Sequence, residues 1–471
     1  MKDFSEKIQK DDILMFINAC FSSTGQNEFY ESSYTQSLTI SFLHEYMLVN
    51  YRELYFRFLG VGINHYNQAK IILNLLSTGK NSIKELRFLE NEYITKSLKK
   101  LPSNRVYKLF VELKKNKVNN ARTKAIVKNY LKSKKDLPFD VLKYRNKFKT
   151  FLQHTHTKIE KEVGTFIFEG IKNKTFTIEL FENFRKAHHN KEFIYTLPFT
   201  VAEGLAYKHK IKRDTFLEKI QDKMTLTEKL RYQKSSEENN VKININLEKI
   251  SLTKLILYIL SLKFEERNLR YDELINTINT ACEKIIAKDK LILDKTVCIL
   301  DSSYSSSGSD EKSRRPLAIA LGIHFLIKNS CKEYKDLWTH KFEKDLLAYP
   351  KGQTNISEQF ISALSYEPKN IIIISDGYEN DPMDCFEQII KIYNKKFAKT
   401  NKINILHLNP VFEANNFDVK KLSDEIITLG IRDIEDFPLL WNFENFISGN
   451  LNLKDLHKYL DFLYDLNLKN E

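Results

Sequence analysis

The sequence predicts a two-part chain: an all-helical array over residues 1–290, followed by a doubly wound α/β domain over residues 291–471. Three observations predict it. Short apolar runs in the second part alternate with helical stretches. The first part contains only Pro102, Pro138 and Pro198 and repeats apolar side chains at helical spacing. Charge divides at the same place, with 52 Lys and Arg against 34 Asp and Glu up to residue 290 and 22 against 27 beyond it.

In the helical part, Val106, Leu109, Phe110 and Leu113 show the spacing of one buried helix face. Val106 to Lys117 and Ala121 to Lys135 read as two helices. Polar breaks fall at Ser77–Asn81, Asn116–Asn120, Asp136–Pro138 and Ser235–Asn240. Many helices of this length joined by short breaks favour a curved array of helix pairs, with a compact bundle as the alternative. Leu291-Ile292-Leu293-Asp294 marks the junction.

In the second part, Val297–Leu300 is too short for a helix and reads as a buried strand. A hydroxyl-rich turn, Asp301-Ser302-Ser303-Tyr304-Ser305, follows it, and Pro316 opens the next helix. The pattern recurs twice. Ile371–Ile374 ends in Ser375-Asp376-Gly377, and Ile403–Leu408 ends in Asn409-Pro410. Ligands of such sheets bind beyond the carboxyl ends of the strands, where Asp301 and Asp376 both fall. Two carboxylates with hydroxyls from Ser303, Ser305 and Thr354 form a hard oxygen set suited to Mg²⁺ or Mn²⁺. An incomplete protein shell leaves room for a carboxylate brought by a partner, which is binding rather than bond breaking.

The set Asp301-x-Ser303-x-Ser305, then Thr354, then Asp376 resembles the metal-ion-dependent adhesion site (MIDAS) of the von Willebrand factor A (vWA) domain. The resemblance implies that Ser303 and Ser305 coordinate the ion directly, and that Thr354 and the two aspartates do so directly or through water. The first loop, continuing through Ser306 to Arg315, is longer than the usual pattern.

Hydrophobic residues at 42% and charged residues at 29% are globular values. No apolar run approaches a membrane span, and the start, Met1 to Lys7, carries acids and has no apolar signal core, so the sequence predicts a cytoplasmic protein without a membrane partner. The five cysteines, Cys20, Cys282, Cys298, Cys331 and Cys385, are scattered without paired spacing and read as reduced core residues. Phosphate-loop, His-Glu-x-x-His and Gly-x-Ser-x-Gly motifs are absent from the sequence. A non-enzymatic protein is expected, with phosphoesterase chemistry at Asp301 and Asp376 as the alternative.

Residues 101–150 hold 15 basic and 3 acidic side chains. The candidate RNA contacts are Arg105, Lys108, Lys114, Lys115, Lys117, Arg122, Lys124, Lys128, Lys132 and Lys135. Among them Lys124, Lys128, Lys132 and Lys135 form one stripe. Tyr107, Tyr130, Tyr144, Phe148 and Phe151 are interleaved; cations with stacking aromatics suit single-stranded RNA, while in the plainer alternative the lysines are solvated and the aromatics fill the core.

Many helices followed by a carboxyl-terminal vWA domain resemble the Ro ribonucleoprotein (TROVE) family, and Asp222–Arg231 is similar to segments of its helical module. The resemblance implies a HEAT-like ring binding small non-coding RNAs and RNA ends, closed by the metal-site domain. The alternative is a vWA adaptor without RNA. It would grip an acidic residue of a protein partner and work beside an AAA+ ATPase of the MoxR type or in a bacterial stress or defence system.

Overall fold

The computed structural model describes residues 2–79, 83–172, 175–238, 241, 243–397, 403–448 and 453–469. Two compact units result: Met1–Asn50 with Leu247–Tyr459, and Tyr51–Asn246 with Leu460–Glu471. The sheet-bearing unit thus begins well before residue 291.

Among its described residues are seven strands: β1 (Thr296–Leu300), β2 (Tyr334–Trp338), β3 (Asn370–Ile374), β4 (Asn404–Asn409), β5 (Phe412–Glu413), β6 (Asp418–Val419) and β7 (Ile427–Gly430). Five form a parallel sheet in the order β2-β1-β3-β4-β7; β5 and β6 form a small antiparallel pair. In the central strands β1 and β3 every residue is buried, which is why their sequences are apolar throughout. Val297, Ile299, Ile371 and Ile373 pack with Ile356 and Phe360 of the helix Ile356–Leu364 and with Phe386 and Ile390 of the helix Cys385–Lys396. Alternate residues, Cys298, Leu300, Ile372 and Ile374, point the other way and are also buried. The helix Arg315–Ser330, itself buried along most of its length, packs on β1 and β2.

The first helix, Lys2–Ser22, joins this unit for a specific reason. The Asn18 side chain donates to Asp418 Oδ1 at 2.7 Å and accepts from the Gly430 amide at 2.8 Å. A side chain at position 430 would meet the Asn18 carbonyl at 2.7 Å, so only glycine lets helix and strand approach this closely. The helices Leu252–Ser261 and Tyr271–Asp289 likewise pack on Arg315–Ser330.

The other unit is helical throughout its described residues. Val106, Leu109, Phe110 and Leu113 are buried, as their spacing predicts. Asn120 caps the helix Ala121–Lys132 by accepting from the Thr123 amide at 2.9 Å, and Asp136 caps Leu137–Thr155 by accepting from Phe139 at 3.0 Å. The preceding helix, Ser103–Lys115, ends before Lys117, which takes a left-handed conformation. Ala121–Lys132 ends before Lys135, so the last member of the predicted stripe is off the helix. The break expected at Ser235–Asn240 is corrected: Leu226–Glu238 runs on as helix, and Asn239 and Asn240 lie outside the described residues, as do Lys80 and Asn81 of the break at Ser77–Asn81. Among the described residues, no helix is long and apolar enough to cross a membrane.

Candidate metal centre and basic surface

Asp301 is the first residue beyond β1. Its two carboxylate oxygens accept from the Ser303 amide at 2.8 Å and the Ser303 hydroxyl at 2.9 Å, and Thr339 donates to it at 3.2 Å. The Ser303 and Ser305 hydroxyl oxygens are 3.2 Å apart. Backbone bonds join the three loops that carry the predicted residues. Asp301 donates to Ile374 O at 2.9 Å, Tyr304 to Gly352 O at 3.0 Å, and Lys351 to Ser302 O at 2.9 Å. The amides of Asn380 and Asp381 both donate to Thr354 O at 3.1 Å. Asp301, Ser303, Thr354 and Asp376 are buried, and Ser305 is half-buried.

Asp376 accepts from the Tyr378 amide at 3.2 Å through Oδ1, while its Oδ2 is buried with no hydrogen-bond partner. Burial first, and the Asp376 carboxylate second, push Asp301 up to about 7. Asp376 is also raised by burial, against hydrogen bonds from Ser305 and Tyr378 that favour its ionised form. An orphaned carboxylate oxygen beside a second buried carboxylate fits a hard divalent cation. Among the described residues no three or more His, Cys, Asp or Glu side chains cluster as a metal site, so this mixed carboxylate–hydroxyl set is the candidate.

Several residues were not apparent from sequence. Thr339 follows β2 and holds Asp301. Glu379, buried three residues after Asp376, accepts from the Ile356 and Ser357 amides at 3.0 and 2.7 Å, the Ser357 hydroxyl at 2.6 Å and the Phe386 amide at 2.6 Å. It thereby ties the starts of two helices to the Asp376 loop, with the negative charge where both helix dipoles favour it.

In the basic window, Lys108, Lys114, Lys115, Lys117, Lys128, Lys132 and Lys135 are exposed, while Arg105 and Lys124 are half-buried. Lys115 pairs with Glu112 at 3.0 Å. Arg122 is internal: it donates to Glu90 at 2.9 Å, Asn91 at 2.6 Å and Leu75 O at 3.3 Å, which removes it from the contact set. The stacking role expected for the aromatics is also corrected. Tyr107, Tyr130, Phe148 and Phe151 are buried and contact one another, with the Tyr107 and Phe148 ring centres 4.5 Å apart, and Tyr144 packs against Tyr107 at 5.5 Å. Lys147, overlooked in the sequence, is lowered by burial and then by Lys108 and Arg105, which marks a local concentration of positive charge.

A mostly helical chain with one five-stranded parallel sheet is the class that this fold defines. The Ro (RSR) protein of Deinococcus radiodurans shares the fold, with a TM-score of 0.53 at 10% sequence identity over 93% of this chain and 100% of that one. The architecture is therefore Ro-like. No family model and no curated protein sequence matches the chain.

Proposed function

We propose that this chain is a non-catalytic, Ro-like scaffold. It holds RNA on its basic helical surface and engages a protein partner through a vWA-type adhesion site. The observation that carries the proposal is the likeness of fold to a Ro protein across 93% of the chain. The exposed cations Lys108, Lys114, Lys117, Lys128, Lys132 and Lys135 would neutralise phosphates, with counterion release supplying most of the affinity. Asp301, Ser303, Ser305, Thr354 and Asp376 would hold Mg²⁺ or Mn²⁺. When bound, the ion supplies an electrophilic position that accepts a carboxylate from a partner. The chain's own residues orient that position: Thr339 and Ser303 fix the Asp301 carboxylate, and Tyr378 fixes Asp376.

Burial of the aromatic set favours a second reading, the vWA adaptor without RNA, because the surface then offers cations without the stacking platforms expected of a single-strand binder. Purification from the native cell, with and without nuclease, separates the two. A defined small RNA that co-purifies supports the scaffold. A protein partner lost on chelation, with no RNA, supports the adaptor.

A further inference from the structure

In the helical unit, a cleft of about 510 Å³ opens where Lys99, in the last turn of the helix Lys84–Lys100, meets the turn joining Ala121–Lys132 to Leu137–Thr155. Sites for small molecules span roughly 300–1,000 Å³, so the cleft can hold one. Its charges are unequally matched. Lys134 donates to Ser103 at 2.7 Å and pairs with Asp140 at 3.0 Å; Asp140 is buried and also accepts from the Tyr107 hydroxyl at 2.8 Å. Those two charges cancel. Lys99 and Lys135 are exposed, and among the described residues neither makes an ion pair. Asp136 is the remaining acid. One of its oxygens accepts from the Phe139 amide at 3.0 Å, which leaves the other as an acceptor. Phe139 also lines the cleft and is half-buried, unlike Tyr107, Phe148 and Phe151, with Lys143 over one face of its ring at 5.3 Å.

We propose that this cleft binds a single nucleotide, with its base against Phe139, its phosphate between Lys99 and Lys135, and a ribose hydroxyl or base amino group donating to Asp136. The proposal goes beyond phosphate contacts along the basic surface, and for a nucleotide that belongs to a strand it rests on the RNA reading above. Two ammonium groups without carboxylate partners favour a phosphate. An aromatic wall favours a flat ring, because every base has a face that can stack. A carboxylate repels a bare anion but accepts from hydroxyl and amino groups. A nucleotide offers all three features, whereas inorganic phosphate offers only the first.

The test is calorimetric titration of the full chain at low salt with nucleoside 5′-monophosphates, ribose 5-phosphate and inorganic phosphate, alongside binding of a short single-stranded RNA. Wild type is compared with Phe139→Leu and with the double variant Lys99→Gln, Lys135→Gln, which alters only exposed side chains. Nucleotides are expected to bind more tightly than ribose 5-phosphate or phosphate. Phe139→Leu should weaken them about tenfold, and the lysine variant about fivefold at an unchanged melting temperature. A loss confined to the free nucleotides identifies a small-molecule ligand; a loss shared by the RNA identifies a nucleotide within a strand, and both support the cleft. Nucleotides that bind no better than inorganic phosphate, or that bind both variants as they bind wild type, would overturn it. RNA still held at wild-type strength in that case leaves the scaffold reading standing, whereas nucleotide binding without RNA binding keeps the cleft and removes RNA from the proposed function.

Discussion

Replacing Asp376 by Asn tests the metal centre with the least disturbance to shape. Without metal, Asp301 is 4% exposed and is pushed up to about 7, by burial first and by Asp376 second. Against an ordinary aspartate near 3.9, ionising Asp301 at pH 8 costs on the order of 4 kcal/mol. Asp376 supplies the smaller share, so neutralising it returns about 1–2 kcal/mol. The exchange sacrifices little. Oδ1 can still accept from Tyr378, and the new amide takes the place of an oxygen that has no partner. The sign is fixed by linkage: a carboxyl raised in the folded state costs stability progressively as pH rises from about 4 to about 7. Asp376→Asn is therefore expected to be more stable than wild type in EDTA at pH 8 by about 1–2 kcal/mol, with the gain vanishing below about pH 4. Mn²⁺ at a hundred times its dissociation constant should stabilise wild type by about 2.7 kcal/mol and leave the variant unmoved. Urea denaturation in EDTA and in Mn²⁺ reads both effects. A variant that is less stable in EDTA, or that keeps the Mn²⁺ response, would refute the reasoning.

Other predictions concern separate parts of the chain. Reversing Lys124, Lys128 and Lys132 to Glu should lower RNA affinity and flatten its dependence on salt by up to about three phosphate contacts, measured by filter binding over a salt series; an unchanged slope excludes this helix as the RNA site. His407 is fully buried between Ser375 and Thr428, and burial lowers it to about 4. The stability it confers is complete above about pH 6.5 and is lost as pH falls toward 4, amounting to about 3 kcal/mol, and His407→Gln should remove that part of the pH dependence in denaturation curves. Glu379→Ala strands the Ile356, Ser357 and Phe386 amides, so a loss of about 3 kcal/mol in urea denaturation is expected, together with weaker Mn²⁺ binding as the Thr354 loop loosens.

The fold is legible in the sequence where burial is one-sided along a helix or complete along a strand. Val297–Leu300 and Ile371–Ile374 are unbroken apolar runs because both faces of their strands are covered. β2 carries Tyr334-Lys335-Asp336 at the sheet edge and is only partly buried, so nothing in its composition separates it from a loop. β7 is four residues long, and its glycine is required by a helix more than four hundred positions away. The aromatic set fails differently. Helical spacing of Tyr107, Phe148 and Phe151 is equally compatible with a core and with a stacking surface. Only the packing of Ser103–Lys115 against Leu137–Thr155 turns them inward.

The candidate metal residues Asp301, Ser303, Ser305, Thr354 and Asp376 can be picked out of the sequence because strand ends place polar side chains in a fixed order along the chain. Thr339 and Glu379 have no such marker, since only tertiary contacts bring them in. The long loop after Asp301 is less legible. Its run Asp310 to Arg315 resembles a solvated charge cluster, yet Lys312 is buried against Glu28 and Arg315 donates to Asp433 at 2.6 Å. A lysine that deep requires its carboxylate partner, because an unmatched buried charge costs several kcal/mol. The extra length therefore builds a platform for residues 27 and 28. The pairing of Glu28 with Lys312, beside the Asn18 bonds to Asp418 and Gly430, thus ties the first fifty residues into the sheet-bearing unit.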